Sequence, residues 1–321
     1  MSEVIIGVDL GGTKILSGLI TPDGRILKAI KQPTLAAAGA EEIMERISAS
    51  IKELQTYVSD SDQLAGMAVG APGPLYYPQG IISTTPNLGW ENVNLKEGLS
   101  RRLQRDVIVD NDGNLAALAE AYYGQDDKYR HLLYLTISTG IGGGIIINRQ
   151  IYRGRDGGAG EFGHMVIEPG GPACRCGKHG CFEAMASGTA LAREASRLLQ
   201  GGGGQKIREC AADPNAPEAK DVAAAARAGD LEATGLVTQL ADHLGLGISN
   251  LVTIFNPEIV VLGGGVALGM GDLLLKPVTE YIRTHTFKLH SNDLPIVLSP
   301  LDQYAGLLGC AIAVKKYRIT N

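Results

Sequence analysis

Apolar and polar positions come in short bursts along the first thirty residues. VIIGVDL at 4–10, TKILSGLI at 13–20 and RILKAIKQP at 25–33 are β-branched and leucine-rich runs, broken by Gly11-Gly12 and by Pro22-Asp23-Gly24. Runs of this kind between tight-turn residues predict three consecutive antiparallel strands. The period then changes: Ile43, Ile47, Ile51 and Leu54 follow at spacings of four, four and three, one face of a helix over about 41–57. Buried strands are predicted at 64–69 and 107–110, with a Pro/Gly loop over 70–80. The second of these strands runs into Asn111-Asp112 and an alanine-rich helix ending near Tyr123.

The pattern restarts at residue 131. HLLYLTIS (131–138) predicts a strand, TGIGGG (139–144) a glycine turn, and 145–148 a returning strand. Further on, a helix is expected over 240–253, a strand over 258–262, a loop of Gly263, Gly264 and Gly265, and a helix near 271–283. A last strand at 296–298 leads to a closing helix over 304–316. Residues 199–229, with GGGGQ and many alanines, are expected to be a surface loop leading into helices and to carry no chemistry. Two units that each open with a glycine-turned hairpin and continue as alternating strands and helices suggest a duplicated α/β fold, with ligands held in the cleft between two lobes. The lobes are expected to be 1–112 plus 302–321, a small N-terminal α/β lobe, and 113–301, a larger one. A length of 321 residues agrees with two domains of about 150 residues each.

Composition narrows the function. Glycine is 43 of 321 residues, about 13% against a usual level of roughly 7%. The excess sits beside strand-like runs, where bare backbone can approach a ligand closely. A net charge of −5 with scattered Lys and Arg argues against a nucleic-acid surface. No apolar run approaches the roughly 18 residues of a membrane span. Glu3 and Asp9 in the first strand, with no basic segment ahead of them, argue against a signal peptide. Five cysteines, three of them within 174–181, do not form a disulfide framework and point to a reducing cytoplasm.

The glycine clusters match neither familiar nucleotide pattern. The P-loop pattern is absent, since Gly12-Thr13-Lys14 has the wrong order. Gly140 and Gly142 are followed by Ile145, and Gly263 and Gly265 by Leu268, so G-x-G-x-x-G fails twice. What remains is a hairpin turn offering amides and a hydroxyl, found twice: Asp9-Leu-Gly11-Gly12-Thr13-Lys14 and Ser138-Thr139-Gly140 onward. Such turns can cradle phosphate, and Asp9 at a strand end could hold the hydrated Mg²⁺ that accompanies ATP. Either cluster alone could be only a hairpin turn; two at matching places favour ligand binding. The opening Asp9-x-Gly-Gly-Thr-Lys resembles the actin and hexokinase superfamily.

Residues 161–183 read EFGHMVIEPGGPACRCGKHGCFE. His164, Cys174, Cys176 and Cys181 supply one nitrogen and three sulfurs, a complete set for a closed, structural zinc site. His179 competes with His164 as the fourth ligand but lies inside the tight Cys176–Cys181 loop. Isolated buried thiols are the alternative. Asp112, just after a buried strand, is either a carboxylate held rigidly for proton transfer or a helix cap, a task that Asn111 or Asp110 could take instead.

Glu-x-Gly-His followed by Cys-x-Cys-Gly-x-x-Gly-Cys-x-Glu matches the signature of the ROK family (repressors, open reading frames and sugar kinases). Asn111-Asp112-x-Asn114 and Ala305-Gly306-Leu-Leu-Gly309 extend the likeness over nearly the whole chain, which most resembles the family's ATP-dependent bacterial glucokinases. The resemblance implies a duplicated actin/hexokinase-like (ribonuclease H-like) fold and phosphorylation of glucose at O6 by ATP. It implies Asp112 as the catalytic base and Asn111, Glu161, Glu183 and the free nitrogen of His164 as sugar ligands. Gly73 and Asn87 resemble the family's sugar-loop positions. Asp9, Gly11, Gly12, Thr13, Lys14, Thr139 and Gly140 would serve Mg²⁺–ATP, with Gly263, Gly264 and Gly265 lying against the adenosine. One departure is Gly113, where the family's Asn-Asp-Ala-Asn has alanine. The resemblance also implies a homodimer or homotetramer. Kinases for N-acetylmannosamine, N-acetylglucosamine, fructose or allose remain alternatives, as does a polyphosphate donor. A sugar-responsive repressor is a further alternative, though strand one starting at Val4 leaves no room for a helix-turn-helix region ahead of it.

Overall fold

The structure, a computed structural model, describes residues 2–59 and 61–317. The opening run forms β1 (Ser2–Leu10), β2 (Lys14–Ile20) and β3 (Ile26–Pro33), antiparallel as the turn residues require. β2 is buried along nearly its whole length, whereas β3 turns Lys28 and Lys31 outward, charges that protect a sheet edge. Helix α1 (Gly39–Gln55) buries Ile43, Ile47, Ile51 and Leu54 completely, the stripe that the spacing predicts. It packs into one core with Val4, Ile6, Val8 and Ile15 and with Met67 and Val69 of β4 (Asp62–Ala71).

Residues 75–94 hold a small antiparallel sheet of β5 (Leu75–Tyr76), β6 (Ile81–Thr85) and β7 (Trp90–Asn94). Its strands are too short and polar to show in the hydrophobic pattern. Next come α2 (Leu95–Leu103), β8 (Ile108–Asn111) and α3 (Asp112–Ala119), which passes into a π-helical turn over Glu120–Gly124.

The second half contains β9 (Leu132–Ile137), β10 (Ile141–Ile147) and β11 (Gln150–Ile151). The glycine turn is shorter than the sequence pattern suggested, because Gly142, Gly143 and Gly144 lie inside β10. Their lack of side chains serves packing: a Cβ on Gly144 would stand 2.7 Å from Ala117 and 3.0 Å from the Asn114 backbone of α3. Five helices follow: α4 (Phe182–Ala186), α5 (Gly188–Gln200), α6 (Gln205–Cys210), α7 (Ala219–Arg227) and α8 (Leu231–Phe255). Thus 199–229 is largely helical, and α8 begins nine residues earlier than residue 240; Asp230 caps it through the Ala233 amide. The chain ends with β12 (Ile259–Gly263), α9 (Gly265–Met270), α10 (Asp272–His285), α11 (Lys288–Ser291), β13 (Ile296–Leu298) and α12 (Ala305–Tyr317). The expected loop at 263–265 is therefore a single linking residue, Gly264, since Gly263 ends β12 and Gly265 opens α9.

The two large sheets have the orders β3-β2-β1-β4-β8 and β11-β10-β9-β12-β13. Each reads third, second, first, fourth, fifth strand, and in each the first, fourth and fifth run parallel. This repeated topology is the duplicated actin/hexokinase-like fold. The chain divides into two compact units, Met1–Arg130 with Gly144–Gly160 and Gln303–Asn321, and His131–Gly143 with Glu161–Asp302. Residues 113–130, grouped with the second lobe in the sequence reading, lie with the first unit because α3 packs on α12.

Candidate functional site

In the first unit the parallel strands end in one row. Asp9 of β1 is opposite Gly70 of β4, and Gly70 is opposite Asp110 of β8. Strand ends of this kind are where open α/β sheets hold ligands. The turn after β1 is closed by the Gly11 amide donating to the Lys14 carbonyl at 2.9 Å, and Thr34 Oγ1 donates to the Gly11 carbonyl at 2.6 Å. Gly12 lies next to Asn87, so two expected site positions far apart in sequence meet. Asp9 as a residue is only partly buried, but its carboxyl is enclosed, with Gly306 in the first turn of α12 directly over it. Burial pushes this carboxyl up to about 6, against the pull of Lys14.

Asn111 is the N-cap of α3: its Oδ1 accepts the Asn114 amide at 3.1 Å, and its Nδ2 donates to the Gly73 carbonyl at 3.2 Å. Asp112 is therefore the first helical residue, and its Oδ1 accepts the Gly113 amide at 2.8 Å. Capping thus falls to the asparagine. Asp110 has a different role, accepting hydrogen bonds from the Asn111 amide, from Asn114 Nδ2, and from Nε and Nη2 of Arg153. Nothing in the sequence marks Arg153, since neither arginine of YRGRDGG carries a signal of its own.

In the second unit the remaining expected residues converge. Gly263 of β12 is in register with Thr136 of β9, which puts the turn at Gly263, Gly264 and Gly265 beside the Ser138–Gly140 turn; Gly265 has Ser138 Oγ as its nearest neighbour, 3.9 Å from a notional Cβ. Gly264 links β12 to α9. Its φ is +87°, and a Cβ there would stand 2.5 Å from the Ile137 carbonyl oxygen and 2.7 Å from Thr136 Oγ1. The missing side chain at Gly264 thus has a reason in the fold itself, a left-handed link packed against the end of β9.

The N-terminus of α5 closes on the same place, with the Gly188 amide donating to Ser138 O at 2.8 Å and Thr189 Oγ1 donating to Thr139 O at 2.8 Å. Glu183 reaches this turn too. Its Oε2 accepts the Ile141 amide at 3.0 Å and occupies the space that any side chain at position 140 would need. Gly140 leaves room there for the Glu183 carboxylate. Burial pushes the Glu161 carboxyl up, the Glu183 charge adds to this, and His164 opposes it. The two glutamates and the histidine are therefore electrostatic neighbours.

His164 Nδ1 and the sulfurs of Cys174, Cys176 and Cys181 all lie within 4.8 Å of one another. The Cys174 Sγ–His164 Nδ1 distance is 3.7 Å and the Cys176–Cys181 Sγ–Sγ distance 3.6 Å. A tetrahedron with Zn–S of about 2.3 Å and Zn–N of about 2.0–2.1 Å has edges of roughly 3.5–3.8 Å. The donor set and spacing fit zinc, and all five cysteines are free of disulfides. His179 is exposed and is not among the four donors. With Nδ1 turned to the sulfurs, Nε2 remains for another partner.

The sequence pattern of the ROK family matches residues 5–317. The chain belongs to the ROK family. It is 37% identical over 313 residues to a glucokinase of Thermotoga maritima, covering 97% of both chains. The crystal structure of a ROK family glucokinase from Streptomyces griseus, in complex with glucose and AMPPNP, superposes with a TM-score of 0.85 at 32% identity, covering 98% of this chain and 99% of that one. A putative xylose repressor of Caldicellulosiruptor sp. is 32% identical over 97% of this chain and 78% of its own length. No helix among the described residues is long and apolar enough to cross a membrane.

The Asp9 carboxyl predicts a pH dependence. Its folded pKa of about 6 exceeds the ordinary 3.8, so its contribution to stability is complete below about pH 3.8 and is lost as pH rises through about 6. Asp9→Asn should therefore raise the thermal midpoint of the ligand-free protein at about pH 7.5 and raise it less at about pH 4.5. An equal or reversed effect in differential scanning calorimetry would contradict the buried-charge account.

Proposed function

We propose that this ROK protein is a glucokinase that transfers the γ-phosphoryl group of ATP to O6 of glucose. The observation that carries the reading is at the start of α3: Asn111 performs the capping, and Asp112 stands beside it at the end of a parallel strand. The family membership and the glucokinase relatives supply the reaction class. Asp112 accepts the O6 proton as O6 bonds to the γ-phosphorus and the bond to the β–γ bridging oxygen breaks, releasing ADP. Such transfer depends on positioning and charge stabilisation more than on covalent chemistry.

Asn111, Glu161, Glu183 and His164 Nε2 orient the sugar hydroxyls, with Gly73 and Asn87 shaping the sugar loop. The turns at Gly11–Lys14, Thr139-Gly140 and Gly263-Gly264-Gly265 hold the nucleotide, and Asp9 would hold the water shell of the accompanying Mg²⁺. His164, Cys174, Cys176 and Cys181 would hold zinc, which supplies a cross-link that fixes the His164 ring and the flanking glutamates. A cytoplasmic setting, where ATP is abundant and thiols are reduced, suits this chemistry.

A coupled ADP-release assay over glucose, mannose, fructose, allose and the N-acetylhexosamines, with ATP and polyphosphate as donors, tests the reading. Glucose with ATP should give the highest kcat/KM. Asp112→Asn should lower kcat by at least about 10³-fold and leave glucose affinity by calorimetry nearly unchanged. Sugar binding without turnover in the wild-type protein would favour the repressor alternative.

Metal analysis of the purified protein should find close to one zinc per chain. Stripping it with a chelator should weaken glucose binding by at least about tenfold, and zinc should restore it. Unchanged glucose affinity in the metal-free protein would remove the ion from the sugar site.

A further inference from the structure

Asp110 is 1% exposed, and its carboxylate accepts four hydrogen bonds. Oδ1 takes the Asn111 amide at 2.8 Å and Asn114 Nδ2 at 3.1 Å. Oδ2 takes Arg153 Nε at 3.0 Å and Nη2 at 2.7 Å. The first pair of donors brackets Asp112 in sequence, so Oδ1 staples the turn that presents it. The second pair closes both prongs of the Arg153 guanidinium on the one oxygen Oδ2, as two charge-assisted hydrogen bonds. The Arg153 side chain is 13% exposed, and its guanidinium carbon lies 3.9 Å from the Tyr77 ring centroid and 4.6 Å from that of Tyr317. Stacking on flat faces locks the plane of the guanidinium and hence the direction of its fork.

We propose that Arg153 is a positioning residue for phosphoryl transfer, holding Asp112 in place through the Asp110 carboxylate. The proposal rests on reading Asp112 as the base. Without the guanidinium, Asp110 loses two of these four donors and the cation paired with it, so the 110–114 staple relaxes. A misplacement of about 1 Å at a reacting group costs on the order of 10²-fold in rate. The effect falls on kcat, because Arg153 is spent on Asp110, Tyr77 and Tyr317 and not on the turn assigned to the nucleotide.

The test compares R153M, R153K and D112N with the wild type in kcat, in KM for ATP and glucose, and in thermal midpoint, assayed well below each midpoint. R153M should lose at least about tenfold in kcat with KM for ATP changed less than about threefold. R153K, which keeps the charge but not the fork, should recover only part of the loss. In R153A, millimolar methylguanidinium should raise kcat where equal ionic strength of sodium chloride does not. A structural role alone lowers the midpoint and leaves the kcat of folded protein intact, so R153M at wild-type kcat overturns the proposal. Should R153M fail to fold, wild-type kcat in R153K overturns it equally. Near-normal turnover in D112N would defeat the base assignment itself, and the proposal with it. An inactive D112N beside a fully active R153M defeats only the positioning role.

Discussion

Negative charge gathered at the ends of parallel strands is the constraint on which the first unit depends. Asp9 and Asp110 stand on either side of Gly70 in one row, and Asp112 follows two residues later. Carboxylates so placed lose hydration, and the fold answers differently at Asp9 and at Asp110. Asp110 is saturated by two neutral donors and one arginine fork. Asp9 has Lys14 as its opposing charge, and burial outweighs it, so its pKa rises to about 6. That carboxyl would gain most from a cation nearby. A single row of strand ends thereby holds one carboxylate tied by four hydrogen bonds and one carboxyl whose state burial governs.

The second unit meets its constraint with backbone. Where β9 and β12 end, the turns at 138–140 and 263–265 lie side by side, and α5 closes on the first through Gly188 and Thr189. Gly264 keeps the second turn tight against the end of β9. Glu183 fills the space beside Gly140 and ties down the Ile141 amide. A residue expected to touch sugar thus also sets the shape of a turn expected to touch phosphate. Changing Glu183 would disturb both tasks, and the two effects could not be read apart in that variant alone.

The hairpin strands, α1 and the parallel strands were legible because their side-chain periods are uninterrupted. Ile43 to Leu54 lie on one face whatever the tertiary context. The clustering of His164 with Cys174, Cys176 and Cys181 was legible for another reason: side chains close in sequence need few long-range contacts to converge. Other features were hidden. β5 to β7 are short and mostly polar, so their pairing depends on partners that the pattern does not name. Gly142 to Gly144 read as a turn because glycine commonly marks one, whereas all three lie inside β10, where Gly143 packs on Tyr134 and Phe162 and Gly144 on α3. The Arg153–Asp110 pair joins residues 43 positions apart, and nothing local to either announces the other.

The segment between Glu161 and Glu183 shows why a metal would be needed there. From Glu168 to His179 every described residue is exposed or only partly buried, and its order comes from a few backbone hydrogen bonds such as Gly180 to Pro172 and Cys174 to Lys178. Hydrophobic burial cannot hold a stretch with so little apolar surface removed from water. Its two ends, however, are anchored: Phe162 and Cys181 are buried, and the Phe182 amide donates to the Met165 carbonyl at 2.7 Å. Thiolates and an imidazole joined at one ion would close the exposed stretch as a short loop, replacing an absent core with coordinate bonds. Because His164 and Cys181 are the outermost members of that set and sit close to Glu161 and Glu183 in sequence, the same cross-link would hold both carboxylates at a constant spacing.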